Sequence, residues 1–194
     1  MAEHPIKTAT GSDEASIVAV ILLAFGTDPA ARWTWPDPQQ YLEHFPKFVE
    51  TLGGKAIAHG GGHCVDDCAG AALWLPPGVG PEEDKLTELF ERTAHRPALK
   101  DALAVFEQMG RYHPQEPHWY LPFIGVDPHR QGKGYGAALM RHGLIPCDRD
   151  GTLAYLESSN PKNIPLYERH GFELLGTIQA GNSPPIFPML RKPR

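Results

Sequence analysis

The chain has only three cysteines, Cys64, Cys68 and Cys147, too few and too odd in number to form a disulfide framework. At 194 residues it is long enough to bury a core without covalent staples, so the simpler expectation is a reducing, cytoplasmic setting. Positive charge is also scarce. The 18 Lys and Arg stand against 23 Asp and Glu, a net charge of −5, which excludes the basic face of a general nucleic-acid binder. Nothing approaches the apolar length needed to span a bilayer, and no membrane partner is expected. The longest apolar run, Ala15 to Phe25, follows Asp13 and Glu14 rather than basic residues, so it does not read as a signal peptide. Repeats and low-complexity segments are missing too. What is plentiful is proline and glycine, 20 of each, which implies many loops between periodic apolar segments.

Those segments alternate in type. Ile6 to Thr10 reads as a strand, and Ser12, Asp13 and Glu14 supply the cap and acidic first turn of a helix to about Phe25. Gly26 to Pro38 reads as a loop. Helical spacing follows over Gln39 to Leu52, and strands are expected at Ala56 to His59 and Ala69 to Leu75, joined by a Gly- and Asp-rich turn. Pro81 to Thr93 and Ala98 to Met109 are amphipathic helices, and His118 to Val126 is a strong strand. A helix over Gly134 to Leu144, a strand over Leu153 to Glu157, a helix over Asn163 to His170 and strands over Phe172 to Gln179 and Ile186 to Leu190 complete the order. One α/β domain over residues 1–194 accounts for it.

The stretch from Arg130 to Ala137, RQGKGYGA, leaves the backbone bare between a strand and a helix. Unpaired N–H groups at a helix N-terminus, with the helix dipole, attract anions, and glycines let a phosphate approach closely. A ligandless glycine turn would cost helix stability for no packing gain. The motif therefore asks for a phosphate or pyrophosphate. A Walker loop is excluded, because Lys133 is followed by Gly134 rather than Ser or Thr. Gly132, Gly134 and Ala137 do fit a permissive dinucleotide fingerprint, with Glu157 as its later acidic residue. That alternative, a nicotinamide-dependent oxidoreductase, is weakened because Asp127 to Gln131 separate the strand from the glycines.

The same residues resemble the GNAT superfamily of acyl-CoA-dependent N-acetyltransferases. The family motif Gln/Arg-x-x-Gly-x-Gly/Ala matches Gln131, Gly134 and Gly136, after a strand-end segment at Ile124-Gly125-Val126-Asp127-Pro128. A second family motif, Asn-x-x-Ala-x-x-Leu-Tyr-x-x-x-Gly-Phe, matches Asn160, Leu166, Tyr167, Gly171 and Phe172, with Asn163 in place of the alanine. The two cover residues 118 to 176. The resemblance implies a mixed, mostly antiparallel central sheet flanked by helices, with acetyl-CoA as cosubstrate and no metal. It implies that Phe123, Ile124, Gly125 and Val126 offer backbone to the pantetheine arm. Gln131, Gly132, Lys133, Gly134, Tyr135, Gly136 and Ala137 would take the pyrophosphate, and Asn160 a pantetheine amide, unless Asn160 is only a helix cap. The acceptor is expected to be the amine of a small molecule or peptide; a homodimer is left open.

In direct transfer an amine attacks the thioester and a thiolate leaves. Tyr167 stands where the family places the acid that protonates this thiolate, against the alternative of an aromatic packing residue. Glu116, His118 and Glu157 could each hold a water that accepts the amine proton, and Glu157 is taken as the candidate base. Arg32, Trp33 and Trp35 fall where the resemblance puts acceptor contacts, and would either grip an aromatic or anionic acceptor or form a lid packed on the core. His59, His63, Cys64 and Cys68 offer four possible ligands within ten residues, but their place in an expected hairpin turn reads as solvated rather than metal-binding. A protein that keeps the acyl-CoA site without catalysis, a sensor, is the non-enzymatic alternative.

Overall fold

The structure, a computed structural model, describes residues 4–194. It opens with β1 (Ile6–Thr8) and α1 (Glu14–Ala24), then α2 (Pro29–Thr34), α3 (Pro38–Gly53) and α4 (Lys55–Ala58). The hairpin β2 (Gly62–Val65) and β3 (Gly70–Leu75) is followed by α5 (Glu83–Thr93) and α6 (Arg96–Tyr112). Next come β4 (His118–Val126), α7 (Tyr135–Arg149), β5 (Leu153–Ser158), α8 (Ile164–Arg169), β6 (Glu173–Leu174) and β7 (Phe187–Arg191). The strands form one seven-stranded sheet in the order β1-β2-β3-β4-β5-β7-β6.

All neighbours are antiparallel except β4 and β5, whose parallel pairing requires the long crossover that α7 provides. This is the mixed, mostly antiparallel sheet expected from the sequence. The dinucleotide alternative needs several successive parallel strands, and one parallel pair among the described residues removes it.

Helices cover both faces. On one, Ile17, Val20 and Ile21 of α1 and Tyr41, Phe45 and Val49 of α3 pack with Leu73, Tyr120, Phe123 and Tyr155 of the sheet. On the other, Leu139, Met140 and Leu144 of α7 and Tyr167 of α8 pack with Leu121, Ala154, Leu156 and Met189. Side chains alternate across a strand, so Tyr120 and Phe123 belong on opposite faces. A register shift places them together: Phe123 pairs with Leu73 while Tyr120 pairs with Leu75, so β4 has one extra residue there.

The ladder between β4 and β5 runs only from His118–Leu153 to Leu121–Leu156. Pro122 follows with no N–H to continue it. Beyond that point β4 stays with β3, and β5 stays with β7. The two strands therefore part, and the β5-facing edge of Phe123 to Val126 has no strand beside it.

Four local expectations need correction. The loop over 26–38 contains α2, because Asp28 caps it by accepting from Ala30 N and Ala31 N (both 3.0 Å), with Pro29 in the first helical position. Ala56 to His59 is not a strand. Gly54 N still bonds to Glu50 O, so the helical path continues into α4, and the chain enters the sheet only at Gly62. The strand over 172–179 shrinks to Glu173–Leu174 plus one bridge, Ile178 to Ile186. Finally, His63 and Cys64 lie buried in β2 rather than in a solvated turn. Cys64 is joined to Cys68 across the turn, leaving Cys147 as the free, buried thiol. That bridge closes a very short loop and so restrains little of the unfolded chain.

Candidate active site

A groove of about 360 Å³ opens where β4 and β5 part. Its walls bring together Ile124, Gly125 and Val126 of β4, the loop residues Gln131, Gly132 and Gly134, the start of α7 at Tyr135, Gly136 and Ala137, and Asn160 and Tyr167. Gly132 (φ 77°) and Gly134 (φ 87°) both hold left-handed backbone, which only glycine adopts without strain. Gly134 is the N-cap of α7, so the open amides of that helix face the groove.

Two expected members do not line the groove. Phe123 keeps its backbone on the free edge of β4 while its ring points into the aromatic core on the α1 side. Lys133 does not line the groove; its carbonyl accepts from His4 Nε2 at 2.8 Å. The cations that do line it are Arg130, which the glycine motif contains, and Arg169 at the end of α8. Arg130 lies 3.4 Å from Asp66, which also accepts the Tyr135 hydroxyl at 2.5 Å, so the β2–β3 turn braces the loop. Asn160 caps the following turn by accepting from Lys162 N (3.1 Å) and lines the groove as well, so the cap does not exclude its other reading.

Tyr167 is 6% exposed, with its ring against Phe172. Burial, and then the negative charge of Asp28, push its phenol well above the ordinary value. The hydroxyl therefore keeps its proton at neutral pH and releases it only to a strong base beside it.

On the α1 side of the gap lies an aromatic cavity of about 100 Å³, which shares Phe25 and Asp28 with the groove. Trp33 and Trp35 line it. Trp35 is 1% exposed, stacks on Phe90 and donates Nε1 to Thr93 at 3.2 Å, so it belongs chiefly to the core. Arg32 lines neither space. Its guanidinium donates to Pro36 O (2.6 Å) and lies over the Tyr41 ring. The cavity adjoins an open trough of about 1040 Å³ through Leu52, Phe90, Phe106, Met109 and Tyr120.

Glu157 lines the aromatic cavity with its side chain only 3% exposed. His113 Nε2 lies 3.1 Å from Oε1, near enough for an ion pair but outside hydrogen-bond geometry, which leaves that oxygen without a hydrogen-bond partner. His113 Nδ1 is 3.3 Å from His118 Nε2, and His118 Nδ1 donates to the Glu116 carbonyl at 2.9 Å. The carbonyl fixes His118 as a donor at Nδ1, so its Nε2 accepts from His113. Burial is the main cause that lowers the His118 pKa, so the ring stays neutral near pH 7. A line of groups thus runs from the buried carboxylate to the trough. His118 is already a candidate base in the sequence, whereas His113 carries no such signal, because it belongs to the end of α6 and meets Glu157 only through packing.

A strand pair that opens beside a glycine loop and a buried tyrosine is the arrangement the family resemblance implied, and the wider comparisons agree. Residues 27–172 match the model of the acetyltransferase (GNAT) family. The chain belongs to that family. Among GNAT relatives, an uncharacterized N-acetyltransferase of Schizosaccharomyces pombe is 27% identical, covering 96% of this chain and 83% of its own length. A Corynebacterium glutamicum structure described as histone acetyltransferase HPA2 and related acetyltransferase has 27% identity and a TM-score of 0.70. It covers 100% of this chain and 98% of its own. Arylalkylamine N-acetyltransferase 2 from Aedes aegypti shares the fold at 11% identity, with a TM-score of 0.69 and full coverage of both chains. Among the described residues no group of three or more metal-ligating side chains is assembled, and no helix is long and apolar enough to cross a membrane.

Proposed function

We propose that this protein moves an acetyl group from acetyl-CoA directly to the amine of a small molecule or peptide. The observation that carries the reading is one groove in which the unpaired edge of β4, the left-handed glycine loop and Tyr167 meet. The β4 edge can pair with the pantetheine amides as an added strand would. Gln131 Nε2 already donates to Val126 O at 3.3 Å, so a bond of that kind is available for exchange. The amides at the start of α7, with Arg130, suit a pyrophosphate.

The chemistry follows from the two sides of the gap. An ammonium entering from the aromatic cavity loses a proton to Glu157, directly or through one water, and His113 and His118 carry it towards the trough. The freed nitrogen lone pair forms the C–N bond at the thioester carbonyl, and the C–S pair leaves on sulfur. Tyr167 gives its proton to that thiolate and regains one from the nitrogen as the amide forms. The balance is one ammonium and one thioester in, one amide, one thiol and one proton out.

Among acceptors, the Aedes aegypti structural neighbour argues for including arylalkylamines in any panel. The deciding experiment is release of free thiol from acetyl-CoA, measured with and without each of a panel of amines, amino acids and peptides. Acceptor-dependent release supports the transferase. Tight acetyl-CoA binding with no release by any acceptor would replace it with the sensor.

The loop has its own test. Gly134→Val puts a branched side chain at the N-cap of α7, where the pyrophosphate would approach the backbone, so coenzyme A affinity should fall at least about tenfold. The nearest atom to a Cβ there is in the His4 ring at 3.7 Å, so the fold has room for the change. Calorimetric titration checks it, and unchanged affinity would remove the loop from the site.

A further inference from the structure

The aromatic cavity has only two charged residues in its walls among the described residues, and both are carboxylates, Asp28 and Glu157. Asp28 is 7% exposed and lines both this cavity and the thioester groove. All its hydrogen-bond partners are neutral: Oδ1 accepts from Ala30 N and Ala31 N, and Oδ2 accepts from Ser159 Oγ at 2.6 Å. Glu157 is two residues before Ser159, both face the same cavity, and its Oε1 has no hydrogen-bond partner. Two buried carboxylates flanking an apolar space, one of them with neutral partners alone, are costly without a cation beside them.

We propose that Asp28 is the anchor for the acceptor's ammonium, holding the charged nitrogen where the aromatic cavity meets the groove. This rests on the transferase reading above and names its substrate class: a primary amine, protonated in solution, on an apolar body about one ring in size. The wall of Phe25, Trp33, Phe48 and Phe106 suits that body. The negative charge of Asp28 reaches Tyr167 on the other side of the gap, so an ammonium held there lies beside the group that serves the leaving thiolate. The plainer role of Asp28 is to cap α2, and asparagine performs that role equally well. Asp28→Asn therefore removes the charge and keeps the cap.

The test uses two acceptors of matched shape, 2-phenylethylamine, charged at neutral pH, and O-benzylhydroxylamine, uncharged there. In the D28N variant the ratio of kcat/KM for the charged acceptor over the neutral one should fall about 10- to 100-fold, mainly through KM. An equal effect on both acceptors, or none on either, would overturn the anchor. Titration of 2-phenylethylamine into protein saturated with desulfo-coenzyme A reads the anchor without turnover. If wild-type protein acetylates neither acceptor, the proposed substrate class fails as a turnover substrate, and the wider acceptor panel still decides the transferase reading. The titration then decides alone: binding lost in D28N supports the anchor, and binding that is absent or unaltered sinks it.

Discussion

Replacing Tyr167 with phenylalanine should lower turnover roughly 10²- to 10⁴-fold, the usual worth of a positioned general acid. The exchange removes only the hydroxyl. The ring stays in the core beside Phe172, so the unfolding free energy should hardly move. Acetyl-CoA affinity should also hold, because the glycine loop and the β4 edge supply the main contacts with the coenzyme. The thiolate forms in a groove that is partly closed to water, where an unprotonated sulfur is poorly stabilised, and the buried phenol keeps its proton until that moment. kcat and kcat/KM should fall together, the mark of an interaction made only in the transition state. Single-turnover rates are the measurement, since slow product release can hide a chemical defect. A full single-turnover rate in Tyr167→Phe would show that the ring merely packs.

Glu157→Gln should cost a comparable factor, about 10²- to 10⁴-fold, but with a different dependence on pH. Glutamine keeps the volume and a carbonyl oxygen facing Tyr120 and Tyr155, so the wall of the cavity survives. It cannot accept the ammonium proton, and the His113–His118 line loses its source. The variant then depends on amine that is already neutral in solution. Below an amine pKa of about 10.4 that fraction grows tenfold per pH unit, so the defect should shrink steadily as pH rises. A defect of constant size across pH would mark Glu157 as structural and move the base elsewhere. Titrating activity against pH in parallel for wild type and variant separates the two.

Much of the groove could be read from local sequence because its parts are local. β4 runs from His118 to Val126 as its apolar pattern indicated, and α7 begins inside the glycine motif. Tyr167 lies within a motif whose spacing is itself the geometry of a helix entering a turn at Gly171. The acceptor side was much harder to read. Its walls come from α2, α3, α5, α6, β4 and β5, and no stretch of sequence records which aromatic meets which. Trp35 and Trp33 look alike in the chain, yet one is sealed in the core and the other stays partly open.

Composition, periodicity and the two glycine-bearing motifs determined the fold class, the central strand, the phosphate-suited loop and the tyrosine. Each depends on interactions within a few residues: a helix end with unpaired amides, a left-handed turn, an alternating strand. Tertiary structure alone decided where β4 and β5 part, because the extra residue near Pro122 acts only against the register of β3 and β5. It also joined Asp28 to Ser159, 131 positions later, and Glu157 to His113. In sequence, Asp28 lies in a stretch that reads as a loop and carries no signal of its own. Its role comes from a buried charge set between two cavities, and burial is a property of the whole packed chain.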